Sequence, residues 1–253
     1  MRLQNVLGLF AHPDDETIFC GGTLAMLHAQ GVQTHLACAT RGEGGEAGEP
    51  PVVADRSGLG AVREAELRCA AAALGVTSLV FLGYLDPEVG PDNTLSAFTD
   101  DFETLAAQFA RLIATTHADV VLTHGPDGEY GHPAHRLIHR AALAAIRRRA
   151  PATLCYSLAA TVPGVEDHIW NSSRLAHLML DITPWAEAKI AAMECHVSQH
   201  ALFKRRRQLQ TVREALRVIE SFYREWPAAG PGLPDDAFAA LLSAVGAQGI
   251  PRA

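Results

Sequence analysis

Short, almost uninterrupted apolar runs alternate with helical patterns over the first 160 residues, and nothing else in the chain restricts its fold as much. The runs fall at residues 6–11, 34–40, 79–82, 120–123 and 154–159, and each ends in a polar or Gly/Pro-containing cluster. Buried parallel strands look like this, because both of their faces are covered and polar alternation is lost. Helical patterns lie between them at 23–30, 62–74, 102–115 and 136–149. Gly31 and Gly75 stand where a helix C-terminus takes a glycine. This order predicts an α/β, Rossmann-like fold: a mainly parallel, doubly wound sheet with helices on both faces and right-handed crossovers.

Beyond residue 160 the pattern is less regular. It predicts a strand at 175–182 and helices at 185–196, 205–223 and 235–245. No repeat, low-complexity tract or linker divides the chain. We expect a single domain over residues 1–253, with a core at 5–200 and C-terminal helices at 201–253. A chain of 253 residues with 48% hydrophobic content is long enough to bury one substantial core.

The net charge of −7 argues against a general nucleic-acid binder, which needs a basic face to meet phosphates. The N-terminal apolar run is short and ends at once in His-Pro-Asp-Asp, so it does not read as a signal peptide. No other segment is long enough to span a membrane. The cysteines (Cys20, Cys38, Cys69, Cys155 and Cys195) are odd in number, widely spaced and without a C-x-x-C pair. Reduced thiols fit this better than a disulfide framework or a cysteine-based zinc site. The expectation is a soluble, cytoplasmic protein.

Residues 41–60 and 86–100 are long, polar and Gly/Pro-rich. Both follow the carboxyl ends of predicted strands, the edge where open α/β sheets hold their ligands. Two motifs lie at the same edge. Ala-His-Pro-Asp-Asp-Glu (11–16) follows the first strand, and His12 and Asp15 are spaced so that a strand-to-helix turn can bring both to one point. Helix capping would account for an aspartate here, but not for His12 beside two adjacent carboxylates. His-Gly-Pro-Asp-Gly-Glu-Tyr-Gly-His-Pro-Ala-His (124–135) follows the fourth strand. In a doubly wound sheet the fourth strand commonly lies beside the first, which carries His132 and His135 to the same mouth. A His, Asp, His set with one open position suits a hydrolytic zinc.

With these motifs the chain resembles the PIG-L/LmbE family of zinc-dependent N-deacetylases, which act mainly on N-acetylglucosamine conjugates. The resemblance runs from Val6 to about Gln199. It rests on AHPDDE (11–16), TRGE (40–43), REAEL (63–67), LGYLD (82–86), YGHPAH (130–135) and CHVSQ (195–199). AHPDDE joined to GHPxH is highly specific; the other blocks are weak alone.

The resemblance implies His12, Asp15 and His135 as metal ligands, Asp14 as general base and His132 as a helper at the tetrahedral intermediate. It implies Arg63 and Asp86 as sugar contacts and Tyr130 as a mobile tyrosine at the site, with Glu43 as a further substrate residue. From the residues alone, Arg63 and Glu43 divide evenly between surface charge and substrate contact. Many members carry His-Pro-Asp-His where this chain has Ala134. A carboxylate there could orient His132 and raise its pKa.

The implied cofactor is Zn2+ or Fe2+, since ligand type alone does not select between them. The implied substrate is a small amino-sugar conjugate, with a place in low-molecular-weight thiol biosynthesis; homo-oligomerisation stays open. An amidase acting on larger thiol-sugar conjugates is the alternative within the class. A non-catalytic, Rossmann-like sugar- or nucleotide-binding module is the rival outside it. His196 and Gln199 read as packing residues or as supports behind the ligands. The basic clusters 147–149 and 204–207 read as solvated faces, and His28, His35, His117, His139, His168 and His177 as ordinary histidines.

Overall fold

The first strand is covered on both faces, and its residues divide between them. In the computed structural model, which describes residues 2–166, 169–205, 207–229 and 233–250, β1 (Asn5–Phe10) sends Leu7 and Leu9 into one apolar cluster. Val6 and Phe10 enter another on the opposite face. The unbroken apolar run is the sequence trace of this two-sided burial.

Then come α1 (Asp15–Ala29), β2 (Gln33–Thr40), α2 (Leu59–Ala73), β3 (Ser78–Tyr84), α3 (Phe102–Thr115) and β4 (Val120–Thr123). The one-turn α4 (Gly128–Gly131), α5 (Pro133–Arg149), β5 (Leu154–Leu158), β6 (Ala160–Thr161), β7 (Asn171–Leu175) and β8 (Leu178–Asp181) follow. The rest is α6 (Ala186–Cys195), α7 (His200–Arg205), β9 (Ile219–Trp226), α8 (Ala237–Ala244) and β10 (Gln248–Gly249). An eight-stranded sheet runs in the order β10-β8-β9-β5-β4-β1-β2-β3, and β6 pairs with β7 apart from it. Strands β1 to β5 are mutually parallel, as expected, and β8, β9 and β10 join antiparallel. Leu105 and Phe109 of α3 and Ile138 of α5 cover one face; Leu24 of α1, Ala192 of α6 and Phe238 of α8 cover the other.

Gly31 (φ +74) and Gly75 (φ +71) end α1 and α2 in the left-handed conformation that favours glycine. The first helix starts at Asp15, well before the expected start at Thr23. The discrepancy has a local cause. Cys20 leaves the helical conformation (φ −148°, ψ 21°), and beyond it the N–H groups of Gly22 and Thr23 donate to the two carboxylate oxygens of Glu220 (2.9 and 2.8 Å). Thr23 thus opens a second helical stretch capped from β9. Lys189 Nζ, 2.7 Å from Glu220, supplies the charge that a buried carboxylate needs.

The largest departure lies at 201–253, where helices were expected throughout. The predicted helix at 205–223 is instead the end of α7, a 3₁₀ turn (Arg213–Ala215) and the strand β9. β9 fills the gap between β5 and β8, and its pairing there overrides local propensity. Its buried Glu220 and Glu225 are matched by Lys189 and Arg174. The predicted strand at 175–182 divides into β7, in the small sheet, and β8, in the large one. His168 lies outside the described residues.

The thiol expectation fails at one pair. Cys69 on α2 and Cys195 at the end of α6 form a disulfide, while Cys20, Cys38 and Cys155 are free and buried. The two halves are 126 residues apart, so no spacing motif announces them; packing of α2 beside α6 brings them together. Cysteine usage therefore carries no argument for a reducing compartment. Among the described residues no helix is long and apolar enough to cross a membrane.

A bridge closing so long a loop constrains the unfolded chain strongly. The double substitution Cys69→Ser/Cys195→Ser is expected to lower stability by about 2–4 kcal/mol. Urea unfolding with and without reductant checks this; coincident curves would mean that the bridge does not form.

Candidate metal centre at the ends of the central strands

The site forms where β1 and β4 lie side by side with Leu9 opposite Thr123. Their neighbours leave in opposite directions, β2 and β3 to one side and β5 to the other. Each strand delivers one motif into the crevice beyond its carboxyl end.

The first motif turns on Asp14, whose φ of 110° is far from the usual range of a non-glycine residue. Several groups hold this turn. The N–H of His12 donates to Asp15 Oδ2 (2.8 Å), and that of Asp14 donates to Glu16 Oε2 (3.1 Å). Glu16 Oε1 in turn lies 3.2 Å from His196 Nε2. Arg63 is buried and spans the turn, donating to Pro13 O (2.6 Å) and Gly42 O (3.0 Å) and reaching Asp14 Oδ2 at 3.5 Å. A Cβ on Gly42 would come within 2.4 Å of the guanidinium, so the loop approaches Arg63 only because this residue is glycine.

Three donors converge beside the turn. His135 Nε2 lies 3.3 Å from His12 Nδ1 and 3.4 Å from Asp15 Oδ1, and His12 Nδ1 lies 3.6 Å from Asp15 Oδ2. A tetrahedral ion with donors at about 2.0–2.1 Å separates them by about 3.3–3.4 Å; the two nitrogens stand at that spacing from one another, and each approaches a different oxygen of Asp15. Each histidine has a carboxylate at its other nitrogen: Asp86 Oδ1 lies 3.2 Å from His12 Nε2, and Glu129 Oε2 lies 2.6 Å from His135 Nδ1. At His135 this contact is a hydrogen bond, the arrangement that commonly leaves the other nitrogen of a histidine free for a metal; at His12 the Asp86 carboxylate is near, but Nε2 forms no hydrogen bond with it.

The electrostatics also favour a cation. Burial opposes charge on His12, but Asp15 and Asp86 outweigh it and raise its pKa to about 10. Burial pushes the Asp15 carboxyl up, yet His135 and His124 hold it well below its ordinary range. Burial and His124 push His135 down, towards the neutral form that can ligate. Asp14 moves the other way. Burial raises it to about 7, with Arg63 pulling against the shift.

Two histidines flank the trio. His132 stacks on His135 (centroids 4.5 Å, planes 11° apart), and its Nδ1 accepts from Ala134 N–H (3.2 Å) at the start of α5. Burial, His135 and His12 together lower its pKa to about 2. Its ring could also join His12 and His135 as a donor. On the other side His124 stacks on His135 (3.9 Å, 17°). Its Nε2 accepts from Ala11 N–H (3.2 Å), which occupies the lone pair, although Asp15 and His135 lie near enough for a three-donor group.

The other sequence-predicted residues fall as follows. Asp86 is buried behind His12, where the resemblance implied a sugar contact. Glu43 accepts from the N–H groups of Arg41 and Asp86 (3.2 Å each), tying the loop after β2 to the loop after β3. Tyr130 is 49% exposed, with its ring 5.7 Å from that of His132. Ala134 is fully buried in the apolar cluster shared with α3. His196 and Gln199 support the site from behind, the latter donating to Glu46 O (2.9 Å). Arg205, from the basic cluster at 204–207, pairs with Glu46 and Glu49 of the loop after β2.

Sequence reading missed Glu129, His124 and Asn171. Glu129 and His124 lie inside the second motif, where spacing alone does not set them apart from its other histidines and carboxylates. Asn171 comes from the irregular region, where no local signal marks it.

A cavity of about 390 Å³ opens beside Asp14 and Asp15. Ile18, Phe19, Met193, Leu202 and Phe203 give it apolar walls, and Arg207 and Arg217 are among its basic residues.

Residues 7–146 match the family described as "PIG-L: GlcNAc-PI de-N-acetylase". A 1D-myo-inositol 2-acetamido-2-deoxy-alpha-D-glucopyranoside deacetylase of Acidothermus cellulolyticus is 34% identical over 238 residues, covering 79% of this chain and 81% of that one. Among solved structures, N,N'-diacetylchitobiose deacetylase from Pyrococcus horikoshii superposes with a TM-score of 0.60 at 21% identity, over 87% of this chain and 83% of that one. GalB, the 4-carboxy-2-hydroxymuconate hydratase from Pseudomonas putida KT2440, superposes with a TM-score of 0.62 at 19% identity, over 92% and 100%. Structural likeness at these identities speaks for the fold alone, and a hydratase among the neighbours shows why the reaction must be argued from the site. The family match covers more than half of the chain, which therefore belongs to the PIG-L family of de-N-acetylases, hydrolases of amide bonds.

Proposed function

We propose that this protein is a zinc-dependent N-deacetylase acting on an N-acetylglucosamine conjugate of the inositol-linked type. The observation that carries this reading is the convergence of His12 Nδ1, Asp15 and His135 Nε2 at 3.3–3.6 Å, with Asp14 next in the chain. The substrate class is taken from the 34%-identical relative. Zn2+ fits the donor set, and Fe2+ is the other ion that these donor types suit.

His12, Asp15 and His135 would hold the ion. When bound, it would polarise the scissile carbonyl and make the attacking water more acidic. Asp14 is the residue assigned to move the proton. It sits beside the ligand Asp15 without joining the convergent trio, and it lines the cavity where the substrate amide would lie, in reach of both halves of a transfer. It takes a proton from water as the C–O bond forms, then returns one to the nitrogen as the C–N bond breaks, leaving acetate and a free amine. Arg63 aims Asp14 through the Pro13 carbonyl and limits how far its carboxylate can swing. Because His132 Nδ1 accepts from Ala134, the ring proton lies on Nε2, where it can donate to the oxyanion. In this role His132 stays neutral and supplies a hydrogen bond.

A second reading within the class is favoured by the cavity beside Asp14. Its apolar wall exceeds what an acetyl methyl needs, and it would accommodate a larger acyl group, as in an amidase on thiol-sugar conjugates.

The deciding experiment measures primary-amine release from N-acetylglucosaminyl-inositol, free N-acetylglucosamine, chitooligosaccharides and glucosaminyl-inositol bearing longer N-acyl groups. The inositol conjugate is expected to have the highest kcat/KM among the acetyl substrates. No amine release from any of them by zinc-loaded protein would refute the proposal. A kcat/KM that rises with acyl size would favour the second reading.

Two substitutions test the assignments. Asp14→Asn is expected to retain zinc and to lose about 10²–10⁴ in kcat; full turnover would remove Asp14 from its role. His135→Ala is expected to abolish stoichiometric zinc binding, as read by metal analysis after dialysis, and an unchanged stoichiometry would disprove its assignment as a ligand.

A further inference from the structure

Glu129 is fully enclosed within the second motif and held at φ 57°, ψ −54°, a backbone conformation that a non-glycine residue keeps only when its surroundings impose it. All of its carboxylate contacts are with donors. Oε1 accepts from Gly125 N–H (2.8 Å) and Asn171 Nδ2 (3.0 Å). Oε2 faces His135 Nδ1 (2.6 Å) and His124 Nδ1 (3.1 Å).

Asn171 aims this carboxylate from the far side. Its Nδ2 also donates to Leu158 O (2.8 Å), and its Oδ1 accepts from the N–H groups of Asp127 (3.1 Å) and Glu129 (3.4 Å). Its carboxamide packs so close to Gly125 that a Cβ there would lie 2.0 Å away. The loop thus carries glycine where a strand from the small sheet needs to reach the metal centre.

We propose that Glu129, aimed by Asn171, is the positioning residue that fixes the tautomer of His135 and thereby sets the metal affinity of this protein. An ionised carboxylate only accepts, so His135 must carry its proton on Nδ1 and turn the Nε2 lone pair towards His12 and Asp15. Position 134, between Pro133 and His135, is an alanine that packs in the apolar cluster beneath α5 and offers no carboxylate. Here the carboxylate of the second motif comes from position 129 and acts on His135. The proposal rests on His135 being a ligand, and the test separates failure of the two ideas.

The decisive variant is Glu129→Gln. A glutamine can keep Oε1 on Gly125 and Asn171, but its amide then presents N–H groups to His135 Nδ1. A neutral His135 would answer by moving its proton to Nε2, the nitrogen that faces the metal. Zinc affinity is measured by chelator competition on wild type and variant, with circular dichroism and Tm of the metal-free proteins beside it. The expected result is a loss of about 10–100-fold in zinc affinity with metal-free Tm retained. A merely structural glutamate would change Tm and leave affinity unmoved.

Wild-type protein that binds no zinc would overturn the metal reading itself. Wild-type binding with an affinity unchanged in Glu129→Gln would overturn only the role of Glu129. If Glu129→Gln fails to fold, Asn171→Ala replaces it. That variant keeps the carboxylate but loosens its aim, so a smaller loss of zinc affinity is expected, and none at all would overturn the proposal.

Discussion

Parallel pairing of β1 with β4, Val6 opposite Val120 through to Leu9 opposite Thr123, is the constraint on which the candidate site depends. The two strands are more than a hundred residues apart in the chain, and each ends in a turn that carries histidine and carboxylate side chains. Their register sets the depth at which those turns meet. A slip of one residue would exchange the faces of Val6 and Phe10 with those of Leu7 and Leu9, and the close packing of side chains of different shape in the two layers opposes it. The turns that carry His12, Asp15 and His135 are therefore held by the same backbone hydrogen bonds that hold the sheet.

Around this junction, buried charge occurs in matched sets. His12 stands between Asp15 and Asp86, His135 between Asp15 and Glu129, and Arg63 spans the Asp14 turn. Glu220 caps the second stretch of α1 and is neutralised by Lys189, so the kink behind the first motif depends on a charge pair delivered by β9 and α6. Breaking one side of such a pair leaves an uncompensated charge in the interior, at a cost of about 3–5 kcal/mol. The strained Asp14 turn persists because Glu16, Arg63 and His196 constrain it together. The cost of building the site is thus spread over α1, α2, α6 and β9.

Much of this was legible in the sequence for physical reasons. Strands β1 to β5 are buried on both faces, and such burial leaves a composition that can be read directly. The motif at 11–16 was legible because a strand-to-helix turn is local, so spacing along the chain becomes proximity in space. Other parts were not. Residues 219–226 carry Glu220 and Glu225, which no reading of local hydropathy would bury; only Lys189 and Arg174 make that strand possible. Cys69 and Cys195 are joined by the packing of two helices, which has no spacing signature. Arg63 and Asp86 read as sugar contacts from the family likeness, while the folded chain gives them partners among the site's own residues.

The sequence by itself determined the class of fold and pointed to the carboxyl edge of the sheet, where it offered His12, Asp14, Asp15, His132 and His135 as candidates. Apolar continuity and short-range motif spacing carry that information, and both are local properties of the chain. The tertiary structure alone decided which nitrogens of His12 and His135 face one another and which face the carboxylates of Asp86 and Glu129. It also decided the strand character of β9, the pairing of Cys69 with Cys195, and the place of Asn171 in the site. Each of these is a contact between segments far apart in the chain, chosen by burial and charge matching that no single segment contains.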